Sequence, residues 1–151
     1  MSEHRAEIQW LRKGDTFSDQ KYSRDHIWKF DGGLEVSASA SPSVVPIPYS
    51  SAEFVDPEEA FIASISSCHM LFFLSIAAKK GFIVNSYRDK AIGILSKIEN
   101  RFSITKVKLN PIAEFEGKNQ PDANTLTEIH KESHDMCFIA NSVKAEIEVV
   151  I

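Results

Sequence analysis

The sequence predicts an α+β domain in which strands surround one long apolar helix, and three features carry that prediction. The stretch Ala60 to Ala78 has no ionised side chain and follows Asp56-Pro57-Glu58-Glu59. Segments near both ends alternate apolar with polar residues, the period of a half-buried strand. The 151 residues, 43% hydrophobic and 25% charged, suffice for a single domain over residues 1–151 with a real core.

Three strands come first. Ala6, Ile8 and Trp10 alternate with Glu7 and Gln9, His26 to Phe30 places Trp28 and Phe30 on one side, and Leu34, Val36 and Ala38 share a side against Glu35 and Ser37. Asp31-Gly32-Gly33 separates the second from the third, and glycine supplies the positive φ of a tight hairpin. Pro42, Pro46 and Pro48 exclude helix from Ser41 to Tyr49 and leave an extended connector.

Asp56 suits a helix N-cap, Pro57 the first helical position, and Glu58 and Glu59 the positive end of the helix dipole. The helix then runs to Lys79-Lys80, where Gly81 ends it. Phe82 to Asn110 reads as two or three strands, with Ile92, Ile94 and Ile98 on one side and Val107 and Leu109 in a later segment. Pro111 to Asn124, with Gly117 and Pro121, reads mostly as loop. Leu126, Ile129, Ser133 and Cys137 predict a shorter helix over Thr125 to about Cys137. Val143, Ala145, Ile147, Val149 and Ile151 alternate with Lys144, Glu146 and Glu148 in a closing strand. The sequence shows no repeat and no interdomain linker.

Bulk properties exclude several functions. A net charge of −4, with no run of four or more Lys or Arg, argues against a nucleic-acid partner. Met1-Ser2-Glu3-His4-Arg5 lacks the charged start and apolar run of a signal peptide, so a cytoplasmic location is expected. Ala60 to Ala78 has the length of a membrane span, but Ser64, Ser66, Ser67, His69 and Ser75 and the soluble-type strands on either side argue against one. A helix apolar on most of its circumference fits a protein core or a subunit interface, and one small sheet does not cover it, so a dimer is the physical expectation.

The chemistry centres on two cysteines, too few for a disulfide scaffold. Cys68 lies mid-helix and is either a packed small hydrophobe or a redox nucleophile. Its distance from the helix start removes help from the dipole, so a reactive thiol there needs a cation from elsewhere in the fold, for which arginine is suited. Cys137, 69 residues on, sits between a helix and a strand, where a turn can bring a resolving thiol to another sulfur. His130, His134 and Cys137 share a helical face and His69 adjoins Cys68, which allows a zinc site without any of the usual paired-ligand motifs. No G-x-S-x-G elbow or glycine-rich phosphate loop supports a hydrolase or a nucleotide site.

The segment from Asp56-Pro57-Glu58-Glu59 through Ser66-Ser67-Cys68-His69 resembles the central-helix motif of the OsmC/Ohr family of thiol-dependent hydroperoxide reductases. His130 through Cys137 to Asn141-Ser142-Val143 resembles that family's second-cysteine region. The resemblance implies the OsmC-like fold, with antiparallel sheets wrapped around a long central helix in the order βββ-α-βββ-α-β, and an intertwined homodimer with interfacial active sites. It also implies an enzyme that reduces organic hydroperoxides, with hydrogen peroxide as a further substrate. Cys68 corresponds to the peroxidatic thiolate, Cys137 to the resolving thiol, Glu58 to the carboxylate ten residues before the first cysteine, and Arg24 to the activating arginine, ahead of Arg12 and Arg5. A Cys68–Cys137 disulfide would form and be reduced by an external dithiol or lipoyl-type reductant, with no bound cofactor and no metal. Phe61, Met70, Leu71 and Phe72 suggest an apolar substrate lining, and His69 and Phe138 depart from the residues common in relatives at those positions, which implies that His69 tunes the substrate pocket and Phe138 the resolving geometry. The alternative is a dimer of the same fold that binds a ligand or metal without turnover.

Helix geometry adds one constraint. Glu58 and Cys68 in one straight helix are about 15 Å apart, so either the helix breaks between them or Glu58 acts across a dimer interface.

Overall fold

A computed structural model describes residues 1–14 and 16–151. The chain groups into two compact units, Met1–Ala60 and Phe61–Ile151. In the first, β1 (Ala6–Gln9), β2 (His26–Phe30) and β3 (Glu35–Ala38) form an antiparallel sheet in the order β1-β2-β3. Ile8 lies opposite Trp28, which lies opposite Val36, so the alternating apolar residues align across the sheet. Gly33, at φ +86°, makes the β2–β3 turn and donates to the Phe30 carbonyl at 2.9 Å. The proline-rich connector has no regular structure, as its composition requires, and carries a cis Ile47–Pro48 bond.

The long helix α1 spans Pro57–Lys79 without a break. Asp56 and Glu59 cap it reciprocally: the Glu59 amide donates to Asp56 Oδ1 at 2.7 Å and the Asp56 amide to Glu59 Oε2 at 3.3 Å. At the other end, Gly81 adopts φ +83° and its amide donates to the Ala78 carbonyl, while the Phe82 amide donates to Ala77. This paired closure is the glycine stop that the sequence predicts.

In the Phe61–Ile151 unit the elements after α1 are β4 (Val84–Asp89), β5 (Ile92–Ile98), β6 (Arg101–Leu109), β7 (Pro111–Phe115), α2 (Ala123–Met136), a short 3-10 turn at Ala140–Ser142 and β8 (Glu146–Val149). Two sheets result, β4-β7 and β5-β6-β8. Three details differ from the sequence reading. Pro111–Phe115 is a strand rather than loop, because Pro111 occupies its first position, where no ladder donor is needed, and Ile112 to Phe115 pair with β4. Four strands therefore separate the helices instead of three, and β8 joins β6 in parallel, so the sheets are not antiparallel throughout. Helix α2 starts two residues earlier than the apolar spacing implies, because Asp122 caps it by accepting from the Thr125 amide at 2.7 Å.

Two clusters bury a stripe of α1 at Ile65, His69, Phe73, Ile76 and Ala77. Ile65 packs with Val107 and Leu109 of β6, joined by Ile104, Ile147 and Val149. Phe73 and Ile76 pack with Ile129 of α2, joined by Val84, Tyr87, Ala113 and Phe115. The helix has the length and hydropathy to cross a membrane, yet this stripe makes it the core helix of a soluble-type fold. Elsewhere on α1 apolar side chains are open, and Leu71 is 61% exposed.

Candidate active site

Cys68 lies on α1 and is half-buried, whereas Cys137 caps the C-terminus of α2 and is fully buried. Both are free thiols. The packing of α2 on α1 spans the 69 residues between them and sets the Cys137 thiol beside the Cys68 side chain. The helix end holds Cys137 in place: its amide donates to the His134 carbonyl at 3.1 Å, and its sulfur accepts from the Ala140 amide at 3.3 Å. Burial, followed by the neighbouring Cys68 side chain, pushes the Cys137 thiol up from 9.0 to about 11, against the pull of the Ala140 amide. Phe72, one turn beyond Cys68, meets Phe138, the residue after Cys137, edge to face, with ring centroids 5.1 Å apart. Phe138 is itself 72% exposed, so this aromatic pair flanks the sulfurs on the open side of α1.

A buried imidazole pair adjoins the sulfurs. His69 Nε2 and His130 Nδ1 are 3.0 Å apart, and the two rings are nearly parallel at 5°. His130 also stacks on Phe73 at 4.6 Å. Burial, then the neighbouring His130 and His134, lowers the His69 pKa from 6.5 to about 4. Burial lowers His130 to about 4 as well, against the opposing pull of Asp89. Asp89 accepts from Ser66 Oγ at 2.5 Å and from the Asn110 amide at 2.7 Å, which ties β4 to α1 beside the pair.

His69, the residue after Cys68, is 1% exposed and turned toward α2. Phe61 packs partly buried against the Ile65 cluster, and Phe72 against the Phe73 cluster. The zinc arrangement allowed by the spacing does not form, because His69 and His130 bond to each other. Among the described residues no three His, Cys, Asp or Glu side chains are placed to hold a metal.

The other two expected site residues belong to the Met1–Ala60 unit. The Arg24 guanidinium lies over the Tyr22 ring at 3.7 Å and donates to the Gln20 carbonyl at 2.7 Å and to the Tyr22 carbonyl. With Ile8, Trp10, Phe17, Tyr22 and His26 it lines an apolar cleft of about 410 Å³. Glu58 is half-buried and its Oε2 atom has no hydrogen-bond partner. Among the described residues Arg24 and Glu58 form no ion pair with each other.

Sequence reasoning missed the His69–His130 pair and the role of Asp89. A signal existed: His130 precedes Cys137 by seven residues, two helical turns on the same face, so the helix face that turns Cys137 toward α1 also presents His130 to it.

Several known proteins resemble the chain. The OsmC-like protein family model matches residues 50–151. An OsmC-like protein of unknown function from Vibrio cholerae has 52% sequence identity and a TM-score of 0.98, over 100% of this chain and 99% of that one. Two organic hydroperoxide resistance proteins share the fold at lower identity. The one from Elizabethkingia anophelis is 18% identical with a TM-score of 0.72, over 99% of this chain and 93% of that one. The one from Bacillus subtilis is 16% identical with a TM-score of 0.63, over 97% and 98%. No curated protein matches the chain by sequence. Given the extent of the family match and the identity to the Vibrio structure, the chain belongs to the OsmC-like protein family.

Proposed function

We propose that the protein is a thiol-dependent peroxidase that reduces organic hydroperoxides to alcohols in oxidative-stress defence, acting as a cytoplasmic homodimer. The observation that carries this reading is the meeting of the chain's two cysteines, one half-buried and one buried, across α1 and α2. Structural relatives named for organic hydroperoxide resistance support it. In the first step the Cys68 thiolate attacks the peroxide O–O bond. One oxygen passes to sulfur, and the alkoxide leaves and takes up a proton, giving an alcohol and a sulfenic acid. Cys137 then attacks that sulfur, the S–O bond breaks, and the thiol proton leaves with the hydroxide as water while the disulfide forms. An external dithiol of lipoyl type restores both thiols, and no bound cofactor takes part.

Arg24 is the residue proposed to stabilise the thiolate and hold the peroxide oxygen, with Glu58 orienting the guanidinium. Because α1 is unbroken, Glu58 and Cys68 of one chain lie about 15 Å apart along the axis, so Glu58 serves a site across the dimer interface. The apolar residues left open on α1, such as Leu71, favour such a partner. The aromatic walls of the cleft that holds Arg24 favour an organic hydroperoxide over hydrogen peroxide. One equivalent of cumene hydroperoxide should consume both thiols of the wild-type chain and leave Cys68→Ser without a disulfide. Undiminished thiols in the wild type, or equal loss in the variant, would refute the peroxidase and leave a ligand-binding dimer of the same fold.

A further inference from the structure

We propose that the buried His69–His130 pair is a positioning device that fixes the register of α1 against α2 so that the Cys68 and Cys137 sulfurs meet. This deepens the peroxidase reading, because it concerns the disulfide step of that same site. Each histidine is tied to one cysteine by the helix that carries it: His69 follows Cys68 on α1, and His130 precedes Cys137 by two turns of α2. The two contacts thus join the same two segments, one residue apart on α1 and two turns apart on α2. Their character differs. Apolar contacts such as Phe73 with Ile129 tolerate a small slide of one helix along the other, whereas a hydrogen bond weakens steeply once its angle is lost.

The geometry is that of an in-line bond. The ring centroids are 5.4 Å apart with 5° between planes, which suits coplanar rings joined end to end through the 3.0 Å contact, and Phe73 stacks on His130 to hold that ring. The tautomers follow from what is unpaired. His69 Nδ1 is buried without a partner, and a bare lone pair is tolerated there better than an orphaned N–H. His69 Nε2 therefore carries the proton and donates to His130 Nδ1. Such a bond needs His130 Nδ1 unprotonated, and the groups that face the two rings are His134 from α2 and Asp89 from β4. Burial of the pair favours the neutral form at physiological pH.

The test titrates the dithiol protein against glutathione redox buffers without peroxide and measures the effective concentration of one thiol toward the other. His69→Gln keeps an amide N–H near the position of Nε2, whereas His69→Asn withdraws it and His69→Leu removes it. The Gln variant should stay within about threefold of wild type, and the Asn and Leu variants should lose about tenfold, the worth of one buried hydrogen bond. The Gln and Asn variants both place an amide in the core, so their difference reads the bond rather than general destabilisation. Equal values for Gln and Asn overturn the proposal, as does a Leu variant that matches wild type. Because no peroxide is present, a wild-type chain that forms the disulfide here but ignores cumene hydroperoxide refutes the peroxidase reading alone. A wild-type chain that forms no disulfide in this titration refutes the positioning role.

Discussion

Acidification should destabilise the protein through its buried imidazoles, and the size of the effect follows from their burial. His69 and His130 are each lowered from 6.5 to about 4 in the folded chain, chiefly by desolvation, so the fold binds their protons less readily than the unfolded chain does. The sign is then set. Their contribution is fully present above the unfolded value of 6.5, is lost as pH falls toward 4, and declines no further below that. At about pH 5.5 an unfolded imidazole is roughly nine-tenths protonated while the folded ones stay neutral, which costs about 1.4 kcal/mol for each ring. The pair together should cost ~3 kcal/mol between about pH 7.5 and 5.5, a large fraction of the stability of a small protein. Urea unfolding followed by far-UV circular dichroism at both pH values measures this directly. The double variant His69→Leu/His130→Leu keeps the other three histidines and should lose most of the dependence. A wild-type change below about 0.5 kcal/mol, or an identical slope in the double variant, would refute the assignment of these rings as buried and neutral.

Two further outcomes follow from the same packing. With its pKa raised to about 11, Cys137 should carry about a hundredfold less thiolate than an ordinary thiol, so iodoacetamide at mildly alkaline pH should label Cys68 first by peptide mass spectrometry, and the reverse order would contradict the site geometry. Gly93 on β5 sits directly against the Ile62 side chain, where an added Cβ has no room. Gly93→Ala should therefore cost ~1–3 kcal/mol in chemical denaturation, with partial recovery in the Ile62→Val background, and a neutral substitution would show that the strand and helix are not in contact there.

Local chemistry made much of the architecture legible. Asp56, Pro57 and Glu59 specify the start of α1, Gly81 specifies its end, and both sets of signals act within a few residues, so no tertiary information was required. The β2–β3 hairpin was equally plain because Gly33 supplies the turn conformation. The two cysteines and their family resemblance were also visible in the chain itself, as was the constraint that one unbroken helix separates Glu58 from Cys68. Partnership between distant segments was not. Pro111–Phe115 carries weak strand signals and becomes a strand only through its pairing with β4, and the parallel addition of β8 to β6 has no short-range signature. The same holds for the site. Histidine is as ordinary on a surface as in a core, and only the packing of α2 on α1 turned His69 toward His130 and withdrew both from solvent. Residue identity thus determined which groups were capable of thiol chemistry, while the contact between two helices decided which sulfur is buried, which imidazoles stay neutral and which atoms touch, because burial and hydrogen-bond geometry depend on neighbours that the linear order does not name.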